Sequence, residues 1–197
     1  MKIVVEGPNN VGKSTLISKL KSEITWMDFQ IEHVDGGCPN DFEFHKNMLE
    51  LPQNIIFDRF YIGERIYPYI YNRKSKLSEK ELEDLCTMFN DTIIIIVDAD
   101  YNFILKAYKN KGEETDVDSN FIFTEKAKFY EYGEKLKNLG MRVFNLKNHL
   151  PGKGYIGDPT VDDIIKQIKN ICLNETENEL DGLNEVENKL NEECIDN

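Results

Sequence analysis

The chain has 197 residues, 40% of them hydrophobic, enough for one compact α/β domain with a substantial core and no second domain of equal size. Its formal net charge is −12, which argues against nucleic-acid binding, because a groove that tracks phosphates needs a concentrated basic surface. Four widely spaced cysteines, no run of membrane-spanning length and no signal-peptide pattern lead us to expect a protein of the reducing cytoplasm, away from membranes, with neither a disulfide framework nor a cysteine metal site.

In chain order, the β-branched run from Lys2 to Glu6 predicts a strand, followed by a Gly-rich turn and a helix with Leu16, Ile17 and Leu20 on one side. A second extended stretch covers Gln30 to Val34. Asp41 then caps a helix carrying Phe42, His45, Met48 and Leu49, which Pro52 closes. Asn54 to Phe57 reads as a third strand. Helices follow over Tyr61 to Tyr71 and, after the capping box Ser78-x-x-Glu81, over Glu79 to Phe89. Thr92 to Val97 lacks polar alternation and suits a strand buried on both faces. A helix from Tyr101 to Lys109, a polar stretch over 111–119, a long helix over Phe121 to Asn138, a turn at Gly140 and a strand from Arg142 to Leu146 complete the pattern. A glycine-rich loop (Gly152, Gly154, Gly157) leads to a last helix with Ile164, Ile165, Ile168 and Ile171. The domain is expected over residues 1–173. Residues 174–197 carry nine acids against Lys189 alone, a net of −8, and their composition predicts disorder or a weak amphipathic helix.

Strands alternating with helices indicate a parallel sheet covered on both faces, with ligands bound beyond the carboxyl ends of the strands. At the first such end, Gly7 to Ser14 matches G-x-x-x-x-G-K-[ST] between a predicted strand and a predicted helix. Gly7 and Gly12 let the backbone of Asn10, Val11, Gly12 and Thr15 wrap its N–H groups around phosphate oxygens. Lys13 supplies a point charge and Ser14 a hydroxyl for Mg²⁺. ATP is the expected donor. Downstream, Phe57 to Tyr67 reads FDRFYIGERIY, and Arg59, Arg65 and Arg73 are three of only four arginines in the chain. Planar guanidinium forks suit bidentate contact with phosphate. Asp98, after the isoleucine-rich strand, stands where a Walker-B acid would orient Mg²⁺, although it could equally cap a helix.

The GPNNVGKST loop, the Asp58-Arg59 pair and the following Gly63-Glu64 and Tyr67 resemble the thymidylate kinases and related deoxynucleoside monophosphate kinases, particularly the short phage-type members, over about residues 1–172. The resemblance implies a P-loop kinase fold with a parallel five-stranded sheet, Mg·ATP as donor, a deoxynucleoside monophosphate as acceptor, and a mobile basic lid. It leaves room for a homodimer. Lys13, Arg59 and Asp58 would then be the catalytic groups, with Ser14, Asp58 and Asp98 toward the metal. Asn9, which stands where the family usually has an acid near the acceptor sugar, would face the acceptor with Phe42, Arg59, Arg65, Tyr67 and Arg73. Lys106, Lys109 and Lys111 would form the lid.

Two other readings stay open. A deoxynucleoside kinase would need a carboxylate base near the second strand, where Glu32 and Asp35 lie. A P-loop switch protein would use the same loop without transferring phosphate to a metabolite.

Overall fold

The computed structural model describes residues 1–112, 118–148 and 159–174. The polar stretch over 111–119, the glycine-rich loop and the acidic tail fall largely or wholly outside the described residues. Five strands, β1 (Lys2–Glu6), β2 (Phe29–His33), β3 (Asn54–Asp58), β4 (Ile93–Ala99) and β5 (Arg142–Asn148), form a wholly parallel sheet in the order β2-β3-β1-β4-β5. The connecting helices are α1 (Lys13–Glu23), α2 (Phe42–Glu50), α3 (Gly63–Ile70), α4 (Glu79–Met88), α5 (Tyr101–Lys111) and α6 (Ser119–Asn138). Of the described residues, 162–174 belong to a second unit. Its described part belongs to a helix over residues 161–174, in which Ile164, Ile165, Ile168 and Cys172 are buried.

The pleat divides the core between the two faces of the sheet. Val4, Ile55, Phe57, Ile94 and Ile96 pack with Leu49, Ile66, Leu82, Leu85, Phe129 and Leu136 from α2, α3, α4 and α6. Their strand neighbours Ile3, Val5, Ile56, Ile93 and Ile95 are just as buried and point to the opposite face. There α1 lies against β1 and β3, with Leu16, Ile17 and Leu20 buried. The unalternating isoleucine run of β4 is thus the mark of a central strand with no wet face.

Local signals set several boundaries. Asp41 Oδ1 accepts the Phe44 N–H at 2.9 Å at the start of α2. Ser78 and Glu81 close a reciprocal capping box at α4, at 3.2 and 2.7 Å. The helix expected from Tyr61 begins only at Gly63, because the backbone N–H groups of Phe60 and Gly63 both turn inward to the buried Glu6 Oε1, at 2.7 and 3.1 Å. Pro68 sits inside α3, where it cannot bond the Glu64 carbonyl one turn back. The Ser75 hydroxyl donates to that carbonyl instead, at 2.8 Å. β5 runs to Asn148, two residues beyond the expected end, by continuing its pairing as far as Ala99 of β4.

Candidate active site

The strand order places β1 between β3 and β4, so the loop after β1 emerges where chain direction across the sheet reverses. Gly7 has φ 142°, and a Cβ there would lie 2.0 Å from the Val97 carbonyl oxygen. Only glycine lets the loop pass that close to β4. Asn10 and Gly12 also take positive φ, 60° and 98°. From the end of β5, Asn148 Nδ2 donates to the Val11 carbonyl at 2.6 Å and braces the loop from behind. Ser14 and Thr15 are exposed at its mouth.

Lys13 folds back over this loop, donating to the Gly7 and Pro8 carbonyls at 2.8 and 2.6 Å. It is 6% exposed. Burial, helped by the Arg59 charge, lowers its pKa to about 8, against the pull of Glu6, Asp58 and Glu125. The two buried acids shift the other way. Burial raises the pKa of Glu6, although it accepts two backbone N–H bonds, and raises that of Glu125 on α6. Glu125 Oε1 accepts the Asn9 N–H at 3.2 Å and the Tyr67 hydroxyl at 2.8 Å, tying α6 and α3 to the phosphate loop.

Arg59 follows β3 with a left-handed φ of 67°. Its backbone N–H bonds the Val5 carbonyl at 3.0 Å, and its Nη2 donates to Asn9 Oδ1 at 2.7 Å. An acid and a base adjacent in sequence at a strand end invite a buried ion pair. Instead the guanidinium turns to Asn9, and Asp58 Oδ2 faces His33 Nδ1 from β2 at 3.3 Å.

These groups surround a cavity of about 650 Å³. Its lining takes Asn9 to Thr15 from the loop, His33, Asp58 and Arg59 from strand ends, and Phe103, Ala107, Tyr108 and Lys111 from α5. A smaller cavity of about 60 Å³ is lined by Val34, Asp35, Gly36, Asn40, Arg59, Phe60, Gly63, Glu64, Tyr67 and Arg73. Among the described residues, Arg59 alone lines both.

Of the residues expected from the sequence, the loop, Asp58, Arg59 and Lys111 converge on the larger cavity, where Lys111 Nζ donates to Asn10 Oδ1 at 2.6 Å. Tyr67 and Arg73 reach the smaller one. Others are not brought there. Arg65 donates to the Leu77 carbonyl at 2.6 Å and to Glu79 at 2.7 Å, joining α3 to the start of α4. Phe42 packs against the core. Lys106 and Lys109 are exposed on α5 and line neither cavity. Asp98 pairs with Lys126 at 3.2 Å and lines a separate cavity of about 220 Å³, apart from Ser14 and Asp58.

In the sequence His33 stands isolated and reads as structural, while Asn40, Glu125 and Asn148 carry no site signal. His33 could have been flagged as the last residue of a strand at the ligand end of the sheet. Glu125 and Asn148 stand 116 and 137 residues from their loop partners, and no local spacing connects them.

Comparison with known proteins agrees with this fold. The chain is 27% identical over 155 residues to the SPbeta prophage-derived protein YorR of Bacillus subtilis (strain 168), covering 73% of this chain and 86% of that one. The crystal structure of Bacillus subtilis YorR in complex with phosphorylated GDP superposes with a TM-score of 0.68 at 22% identity, covering 91% of this chain and 98% of that one. Deoxyadenosine kinase from M. mycoides with bound dATP gives 0.50 at 17% identity, covering 85% and 98%. No protein-family model matches the chain. The fold is that of the P-loop kinases.

Proposed function

We propose that the chain transfers the γ-phosphoryl group of Mg·ATP to the 5′-phosphate of a deoxynucleoside monophosphate, of which dTMP is the model acceptor, giving the diphosphate. The observation that carries this reading is the position of Arg59. Among the described residues it is the one common to the cavity walled by the phosphate loop and the cavity walled by Tyr67 and Arg73, where a group aligning two phosphorylated ligands has to stand. A fold relative crystallised with phosphorylated GDP is in keeping with a nucleotide in the larger cavity.

An acceptor phosphate is already an anionic nucleophile, so the protein's work is alignment and charge neutralisation rather than proton removal. Lys13 would leave the Gly7 and Pro8 carbonyls for phosphate oxygens, while Arg59, pinned by Asn9, would offer its fork between donor and acceptor. Lys111 would approach from α5. The Ser14 hydroxyl and the Asp58 carboxylate line one cavity and are the oxygen donors a hard cation prefers. They are the residues that would hold Mg²⁺, which when bound neutralises charge on the donor's phosphates. Asp98, paired with Lys126, stands outside that set.

ATP consumption measured against a panel of deoxynucleosides and deoxynucleoside monophosphates tests the proposal. The expected result is a higher kcat/KM for at least one monophosphate than for every nucleoside. A nucleoside preference would turn attention to Asp35, which lines the smaller cavity and could act as a base.

A further inference from the structure

Asn9 and Asn10, consecutive in the phosphate loop, each accept a hydrogen bond from a cation on a different wall of the larger cavity. Arg59 Nη2, just after β3, donates to Asn9 Oδ1 at 2.7 Å, and Lys111 Nζ, at the end of α5, donates to Asn10 Oδ1 at 2.6 Å. Both cations are donors only, so the carboxamide oxygens are the atoms that face them. All four residues line the cavity of about 650 Å³, and all are partly or fully exposed. Among the described residues, neither Arg59 nor Lys111 makes an ion pair with a carboxylate. The acids near Arg59 are engaged elsewhere: Glu6 Oε1 with the Phe60 and Gly63 N–H groups, Glu125 Oε1 with the Asn9 N–H and the Tyr67 hydroxyl, and Asp58 Oδ2 facing His33. Lys13 likewise rests on two carbonyls. Away from the loop the pattern reverses. Arg65 pairs with Glu79, Lys126 with Asp98, and Lys135 with Glu79 and Glu83.

A neutral acceptor fixes where a cation points without cancelling its charge. A phosphate brings a full opposite charge where a carboxamide brings only a dipole, so it draws either cation off its asparagine. A cation held as Arg65 is would first have to give up a carboxylate. The backbone keeps both asparagines in place for this task. Asn9 is fixed by its N–H bond to Glu125, and Asn10 stands at φ 60°, which asparagine tolerates better than most side chains. Arg59 also lines the smaller cavity, whereas Lys111 lines only the one walled by the loop. We infer that Asn9 and Asn10 are positioning residues, Asn9 aiming Arg59 at the phosphoryl group in transfer and Asn10 aiming Lys111 at the phosphates of ATP. This rests on the reading that the chain transfers the γ-phosphoryl group.

Two double-mutant cycles test it, one reading kcat for Asn9 with Arg59, the other reading the Kd of Mg·ATP without acceptor for Asn10 with Lys111. Asn9→Ala should lower kcat about tenfold and leave the Kd of Mg·ATP unchanged, yet cost less than about twofold once Arg59→Ala is present. Asn10→Gly, which suits the positive φ, should weaken Mg·ATP binding about threefold to fivefold, and have no further effect beside Lys111→Ala. Melting curves accompany both cycles. Asn9→Leu, of similar size and without an acceptor oxygen, repeats the first cycle if the alanine variant does not fold. Losses that multiply in full within a pair show that the asparagine serves the loop alone, and overturn the inference for that residue. Coupling seen when only a deoxynucleoside is phosphorylated keeps the inference and removes the monophosphate acceptor. Absence of turnover with every deoxynucleoside and monophosphate overturns the role of Asn9 together with the proposed function, while that of Asn10 stands or falls on Mg·ATP binding.

Discussion

Glu125, in the second turn of α6, accepts the backbone N–H of Asn9 at 3.2 Å, so the first bend of the phosphate loop hangs from a helix that lies more than a hundred residues later in the chain. The same oxygen takes the Tyr67 hydroxyl. One buried carboxylate thereby relates the wall of the smaller cavity to the loop of the larger one. Glu125→Ala should cost about 1–3 kcal/mol of stability, because it strands the partly buried Asn9 N–H and Tyr67 hydroxyl, and should also lower kcat/KM. Glu125→Gln keeps an acceptor oxygen and should recover most of both. Denaturant titration and steady-state kinetics on the two variants check this; equal damage from both would make the charge, not the acceptor, the essential feature.

Lys13→Ala should reduce phosphoryl transfer by about 100-fold or more. Its effect on folding is expected to be small for a reason visible only in the structure. The variant loses two bonds to loop carbonyls but also removes an amine whose burial disfavours its charge. Turnover and a melting curve on the same preparation decide it. A folded variant with near wild-type turnover would refute the assignment.

Arg59→Lys keeps the charge and the same positive-φ backbone but loses the planar fork. A fall in kcat of about 10- to 100-fold is expected, with ATP affinity little changed, since the phosphate loop remains intact. Wild-type kcat would reduce Arg59 to a brace for Asn9.

His45 predicts an acid limb in stability. It is fully buried on α2, with its ring 4.7 Å from that of Phe60 and 5.3 Å from that of Phe44, and neither ring nitrogen has a hydrogen-bond partner. Burial lowers its pKa from 6.5 to about 4, against the opposing pull of Asp41 and the Asn40 backbone. Above pH 6.5 neither the folded nor the unfolded chain carries this proton. Between 6.5 and 4 the unfolded chain takes it up and the folded chain does not, so stability falls with pH by about 3 kcal/mol in total. Urea titrations from pH 7 to 4 should show that loss, and His45→Leu should flatten it. An identical pH dependence in the variant would assign the limb to other groups.

The strand-helix alternation, the buried character of β4, the caps at Asp41 and Ser78, and the phosphate loop were all legible in the sequence. Each is decided within a few residues, by side-chain period, by a capping side chain or by glycine at a tight turn. The destinations of the arginines were not. Arg65 and Arg73 look alike as sequence, yet Arg65 is taken up by Leu77 and Glu79 while Arg73 lines the smaller cavity. Asp98 had the position of a metal-orienting acid after a central strand, but Lys126 of α6 claims it. His33, Glu125 and Asn148 entered the site only once the parallel sheet had brought the ends of β2, β3, β1 and β5 to one edge and α6 had packed on α3 and β4. Local sequence determines which backbone shape forms. Which charged or polar side chain meets which partner depends on contacts between segments far apart in the chain, and only the packed structure decides them.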